Sequence, residues 1–150
     1  MQYRIDGVSV PARTVCLRVD KGERVLETVQ SLCEQLGIRG GTFTGIGACS
    51  EVDVRTWIPE RADFTSHVYT GTIEMISLDG NISRDRDGGV RLHAHGSFSY
   101  LDEGGRLAVF AGHLADATIG YTGELAITTS SEPIDVTFDE HAGIDVWDLG

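Results

Sequence analysis

The chain has 150 residues, enough for one domain with a substantial core, and 41% of them are hydrophobic. It carries 23 acidic residues against 12 basic ones, which gives a formal net charge of -11. Because nucleic-acid affinity comes largely from neutralising phosphates, direct nucleic-acid binding is not expected. The sequence lacks a secretory signal and any apolar run of the roughly 20 residues that span a bilayer, so we expect a single cytoplasmic domain over residues 1–150, with no membrane contact.

The first predicted elements are a strand and a helix. Alternating residues predict a strand near residues 13–20. Over residues 23–37, apolar side chains recur at three- and four-residue intervals, which is typical of an amphipathic helix. Asp20 is a candidate cap for this helix, Glu23 suits its positive end, and Gly37 is well placed to end it.

The remainder of the chain is rich in β-strand patterns. They cover residues 40–57, 70–83, 90–101, 106–114 and 121–129, with turn signals at Asp79-Gly80, at residues 87–89 and at residues 103–105. Short connections favour antiparallel pairing. We therefore predict an α+β fold, in which one long helix packs on a bent, mostly antiparallel sheet. The acidic segment 131–150 contains regularly spaced apolar residues, which predict ordered edge structure.

Three kinds of residue invite a chemical interpretation that the sequence does not favour. The cysteines Cys16, Cys33 and Cys49 are too widely spaced for a metal or redox motif, so we expect buried small hydrophobic residues. The glycine-rich residues 37–50 lack a phosphate-loop pattern and are better explained by tight turns and bulges. Residues 83–91 interleave arginines with Asp85 and Asp87, which predicts a solvated loop.

Three histidines between residues 90 and 114 form the candidate functional site. His93 and His95 are two apart on a predicted strand, so both point to one face, about 7 Å apart at the backbone, and both can reach one zinc ion. His113 joins that face if the hairpin connection has an odd length or contains a bulge. Residues 101–106 can provide a three-residue loop, and Gly112 can provide a bulge. The alternative is three unrelated structural histidines.

The other titratable strand residues leave more than one possibility open. Glu74 and Glu124 interrupt apolar or small-residue patterns. Each is either exposed on an open face or serves as a fourth ligand, as an orienter of an imidazole or as a general base. His67 has no histidine partner near it in sequence, and His141 is interpreted as a solvated turn residue.

Several stretches, in order, resemble the PPC domain, the plants and prokaryotes conserved domain, in its stand-alone prokaryotic form. The resemblance covers about residues 13–129, and its matching segments are residues 17–38, 43–54, 73–83, 92–99 and 111–127. It implies a compact α+β fold, a homotrimer and a zinc ion near His93, His95 and His113. The family is also associated with DNA binding, which in plant members is attributed to a separate basic AT-hook segment. This sequence has no such segment, and a trimer would carry 3 × -11 = -33 in formal charge.

These observations leave three functions to distinguish. The leading one is a zinc-binding homotrimer that binds a small polar molecule or acts on it through metal-bound water, by hydrolysis or as a lyase. The alternative is a regulatory or assembly module associated with DNA and transcription. The third is a structural trimer without metal. The sequence leaves open whether the protein is an enzyme.

Overall fold

The computed structural model describes residues 13–150. Its elements run in the order β1 (Thr14–Val19), α1 (Val25–Leu36), β2 (Gly41–Ile58), a 3-10 turn (Pro59–Arg61), β3 (Asp63–Arg84), β4 (Val90–Leu101), β5 (Leu107–Thr129), β6 (Asp135–Asp139) and β7 (Ile144–Asp148). No helix among these residues is long and apolar enough to cross a membrane.

The sheet closes on itself. β2 pairs with β3, β3 with β4 and β4 with β5, and β5 pairs in turn with β2. β1 pairs with residues 123–128 of β5. The predicted antiparallel pairing is confirmed for all of these strands. Two segments predicted as separate strands, residues 106–114 and 121–129, belong to the single strand β5, which changes partner from β4 to β2 along its length.

The helix covers the sheet with one apolar stripe. Val25, Val29 and Cys33 are fully buried on it, and α1 packs against β4 and β5. Gly37 ends the helix in the left-handed conformation, as predicted. At 12 residues α1 is of ordinary length rather than the long helix that we expected.

The beginning of the helix differs from the prediction. Asp20 is not its cap, because α1 starts at Val25 and the side chain of Asp20 instead accepts a hydrogen bond from Arg18 at 2.8 Å. The backbone N–H of Leu26 donates to Oδ1 of Asp116 on β5 at 2.9 Å. The helix N-terminus is therefore satisfied by a residue distant in sequence.

The predicted turn at Asp79-Gly80 is wrong, because both residues lie inside β3. Gly80 is needed there for close packing: a Cβ atom at this position would overlap the buried ring of Phe43 on β2. The other two turn predictions are confirmed, by the connections 85–89 and 102–106. A glycine in a strand can thus signal close approach rather than a turn.

Two further expectations have opposite outcomes. The C-terminal segment is ordered, as expected: β6 and β7 form a hairpin, and β6 joins the edge of the sheet beside Arg84. Cys33 and Cys49 are buried as expected, but Cys16 is exposed, because alternation on the edge strand β1 turns it outward.

Candidate metal centre

The β4–β5 hairpin brings the histidines together through its register. Leu101 is opposite Leu107, and the pairing continues without a shift to His95 opposite His113. The connection 102–106 therefore has an odd length, as the hypothesis required, although it is longer than three residues and no bulge at Gly112 is involved. Directly opposed residues share a face, so His113 lies on the face that carries His93 and His95.

The three imidazoles form a compact triangle. The ring centroid of His93 lies 5.1 Å from the ring centroid of His95 and 5.1 Å from that of His113. The ring centroids of His95 and His113 are 5.4 Å apart. One ring nitrogen from each residue lies within 4.8 Å of the other two. Nitrogens bound to a tetrahedral zinc ion are roughly 3.4 Å apart, so a small adjustment of the rings suffices for coordination.

The triangle lies at a fork in the sheet. Residues 90–94 of β4, which precede His95, pair only with β3. The residues of β5 that follow His113 pair with β2. The ring of Phe64, at the tip of the β2–β3 hairpin, stacks on His113 with a centroid distance of 5.4 Å and an interplanar angle of 29°. Trp57 packs edge-on against Phe64 at a centroid distance of 5.1 Å, so an aromatic pair lies against His113.

The electrostatic environment favours neutral imidazoles. The pKa of His113 is lowered from its ordinary value, first by burial and then by its charged neighbours. Burial also lowers the pKa of His93, with smaller contributions from His95 and Arg91. A neutral imidazole offers the lone pair that a metal needs, and three such ligands are typical of zinc sites with an open coordination position.

Of the carboxylates, Asp79 is the nearest along the sheet, and the sequence interpretation missed it. Asp79 on β3 is directly opposite His95, but it was assigned to a turn. Recognition of Gly80 as a packing residue within a strand would have placed it correctly.

The two predicted glutamates lie farther away within the chain, and both are exposed. Glu124 is on the part of β5 that pairs with Ile46 of β2, three strands from β4, on the order of 14 Å. Glu74 is opposite Ser99, four residues along β4 from His95, or about 13 Å.

Two arginines flank the histidines. Arg55 on β2 is directly opposite His113, and Arg91 precedes His93 by two residues on the same strand and face. Both guanidinium groups contribute to the lowered pKa of His113. Arg91 therefore belongs to β4 beside the candidate site and not to the solvated loop predicted for residues 83–91.

Open cavities give access to the histidines from two sides. His93 and His95 line a cavity of about 530 Å³ together with Thr42, Thr44 and Asn81, and His113 lines a cleft of about 630 Å³ between the sheet and α1. Another cavity, of about 760 Å³, is mainly apolar and is lined by Glu124 but by none of the histidines. It adjoins the histidine cavity through Thr44 and Asp79, which line both.

The other histidines lie elsewhere. His67 is exposed opposite Val54, and His141 lies in the exposed turn between β6 and β7, where its backbone N–H donates to Asp139. Within residues 13–150, the histidine triangle is the one group of three or more potential metal ligands whose ligand atoms lie within 4.8 Å of one another.

Most of the chain matches the model of a known protein family. Residues 8–131 match the Plants and Prokaryotes Conserved (PCC) domain, the family abbreviated PPC above. A plant- and prokaryote-conserved protein from Pyrococcus horikoshii is 27% identical, with a TM-score of 0.79 over 96% of this chain and 97% of its own. No curated protein matches the chain.

Two further structures have descriptions that bear on function. A protein from Ralstonia eutropha, provisionally described as DNA-binding, is 26% identical, with a TM-score of 0.79 over 90% of both chains. A metal-containing protein from Archaeoglobus fulgidus is 23% identical, with a TM-score of 0.81 over 97% of this chain and 99% of its own. The first of these weighs against the expectation that this chain does not bind nucleic acid.

Proposed function

Since the chain belongs to the Plants and Prokaryotes Conserved domain family, we propose that it binds one zinc ion through His93, His95 and His113. The observation that carries the proposal is the placement of three ring nitrogens within 4.8 Å of one another on one sheet face. A neighbour of the same fold is described as metal-containing, which supports this choice.

The site suits a small polar molecule. Three neutral imidazoles leave the charge of the metal uncompensated, and zinc with an open position lowers the pKa of bound water to about 7. The chain's own residues hold the metal, and the Phe64 ring covers one side of His113. The adjoining cavities, of about 530 and 630 Å³, have the size of small-ligand pockets.

A homotrimer is part of the proposal. Leu101, Leu107 and Val109 are 68%, 71% and 64% exposed at the end of the β4–β5 hairpin, and they form an apolar surface that a subunit contact would cover. A general-base role for Glu74 or Glu124 then requires another subunit to bring the carboxylate to the metal. Light scattering should give three times the 16.2 kDa chain mass, and a monomer at micromolar concentration would contradict the assembly.

Zinc content tests the site. Wild-type protein purified without chelator should hold about one zinc per chain, and His93→Ala, His95→Ala or His113→Ala should each reduce it to background, because two imidazoles bind too weakly. His67→Ala is the matched control, since His67 is an exposed strand histidine outside the triangle. Full zinc content in all three triangle variants, or no divalent metal in the wild type, would refute the site.

A second candidate function is DNA binding, which the description of the Ralstonia eutropha neighbour favours. The net charge of -11 opposes it at long range, so contact would require a local basic surface. Binding of a DNA duplex that weakens steeply between 50 and 200 mM salt would support this function. No binding at low salt would exclude direct contact.

A further inference from the structure

We propose that the zinc centre recognises a small molecule bearing a carboxylate or phosphate group, which Arg55 and Arg91 bind beside the metal. The proposal rests on the zinc site proposed above and adds the substrate class. It follows from the positions of two arginines that the triangle does not use.

Both arginines are placed by strand geometry. Arg55 is directly opposite His113 across the β2–β5 pairing, which puts their Cα atoms about 5 Å apart with side chains on one face. Arg91 is two residues before His93 on β4, about 7 Å away on the same face. The two arginines lie on different strands, Arg55 on β2 and Arg91 on β4, and the charge of each acts on His113.

Neither guanidinium is fully neutralised by its neighbours. Within residues 13–150, Arg91 makes no hydrogen bond or ion pair through its side chain. Arg55 is 46% exposed and has a loose ion pair with Asp53, at 3.6 Å. Both therefore keep donors for a ligand, and guanidinium donors match the geometry of carboxylate and phosphate oxygens.

The groups nearest the triangle favour an anionic ligand on the side of the two arginines. A divalent metal and two arginines bring four positive charges to the site, and neutral imidazoles compensate none of them. Asp53 beside Arg55 and Asp79 opposite His95 supply two negative charges. In the cleft that His113 lines, Arg24 is paired with Asp116, while Glu27 and Glu34 lie on the α1 side. An anion is therefore favoured between the metal and the arginines on the sheet, away from the glutamates of α1.

The aromatic pair beside Arg55 suggests where the rest of the ligand lies. Trp57 is two residues from Arg55 on β2, and its partner Phe64 stacks on His113. Both rings are partly exposed, at 48% and 42%. An organic anion can place its charged group at the arginines and its apolar part against these rings.

The test is titration calorimetry of the zinc-loaded full chain with inorganic phosphate and, separately, with acetate. Binding of either probe is expected, and the tighter one identifies the class of charged group. Arg55→Gln and Arg91→Gln should each weaken binding about tenfold, the effect of losing a charge-assisted hydrogen bond, with zinc content unchanged.

Arg18→Gln is the matched control, because it removes the same charge from β1, far from the triangle, and Arg18 is paired with Asp20. Equal binding by wild type and both site variants, or an equal loss in Arg18→Gln, would overturn the inference while leaving the zinc site intact. A wild type without zinc would overturn the zinc site instead. In that case, the same titrations are made on the metal-free wild type, Arg55→Gln, Arg91→Gln and Arg18→Gln. They decide whether the two arginines bind the anion.

Discussion

Asp116 should hold α1 on the sheet, although it lies 90 residues beyond the helix residue that it caps. Its Oδ1 accepts hydrogen bonds from Leu26 N–H at 2.9 Å and Ala117 N–H at 2.7 Å, and its Oδ2 lies 3.2 Å from Nε of Arg24. The residue is only 8% exposed, so water cannot replace these bonds completely. We predict that Asp116→Ala destabilises the fold and that the effect is concentrated at the helix N-terminus.

The magnitude follows from the individual contacts. Loss of a helix cap costs about 1 kcal/mol, and the unsatisfied Ala117 N–H adds about another 1 kcal/mol. The ion pair with Arg24 adds little, because that side chain is 58% exposed. A total of about 2 kcal/mol lowers the Tm of a chain this size by roughly 4–8 °C. Asp116→Asn keeps an acceptor oxygen and should lose about half as much.

The assay is thermal unfolding at pH 7 and equal protein concentration, since any assembly makes Tm concentration-dependent. Asp20→Ala is the control, because Asp20 is the cap that the sequence predicted and its carboxylate makes only an exposed pair with Arg18. It should change stability by less than about 0.5 kcal/mol. An Asp20→Ala variant as unstable as Asp116→Ala, or an Asp116→Ala variant with wild-type Tm, would refute the reasoning.

Two further predictions concern pH and packing. Because the pKa values of His93 and His113 are lowered, their neutral forms persist to lower pH, so zinc measured by equilibrium dialysis should be retained until the pH falls below the ordinary histidine value of about 6.5. Without metal, the unfolded chain takes up these protons first, so the free energy of unfolding should fall as pH drops below about 6.5. A metal-free protein that becomes more stable over that range would contradict the lowered pKa values of the two histidines. Gly80→Ala should cost about 1–3 kcal/mol in urea unfolding, because the new Cβ overlaps the Phe43 ring. A second change, Phe43→Leu, should recover part of that loss, and strictly additive effects would argue against the overlap.

Much of the site could be predicted because it depends on local periodicity. The two-residue spacing of His93 and His95 puts them on one face of any strand. The requirement of an odd connection for His113 follows from the same alternation, and the structure meets it with residues 102–106. The helix is predictable for a similar reason, since its buried residues Val25, Val29 and Cys33 lie on one stripe.

Neighbours across strands depend instead on register, which the sequence does not display. The pairing of β2 with β5 shifts between Asp53 and Val54, and the resulting register sets Arg55 opposite His113. Each shift of one residue would turn a side chain to the other face. The sequence by itself therefore determined that His93 and His95 share a strand face, because alternation is a property of each strand alone, and it stated the register that His113 needs in order to join them. The place of Arg91 beside His93 follows from the same alternation. Only the tertiary structure decided that Arg55 and Asp79 stand beside the histidines and that Asp116 caps the helix, because the closed sheet brings together residues far apart in the chain.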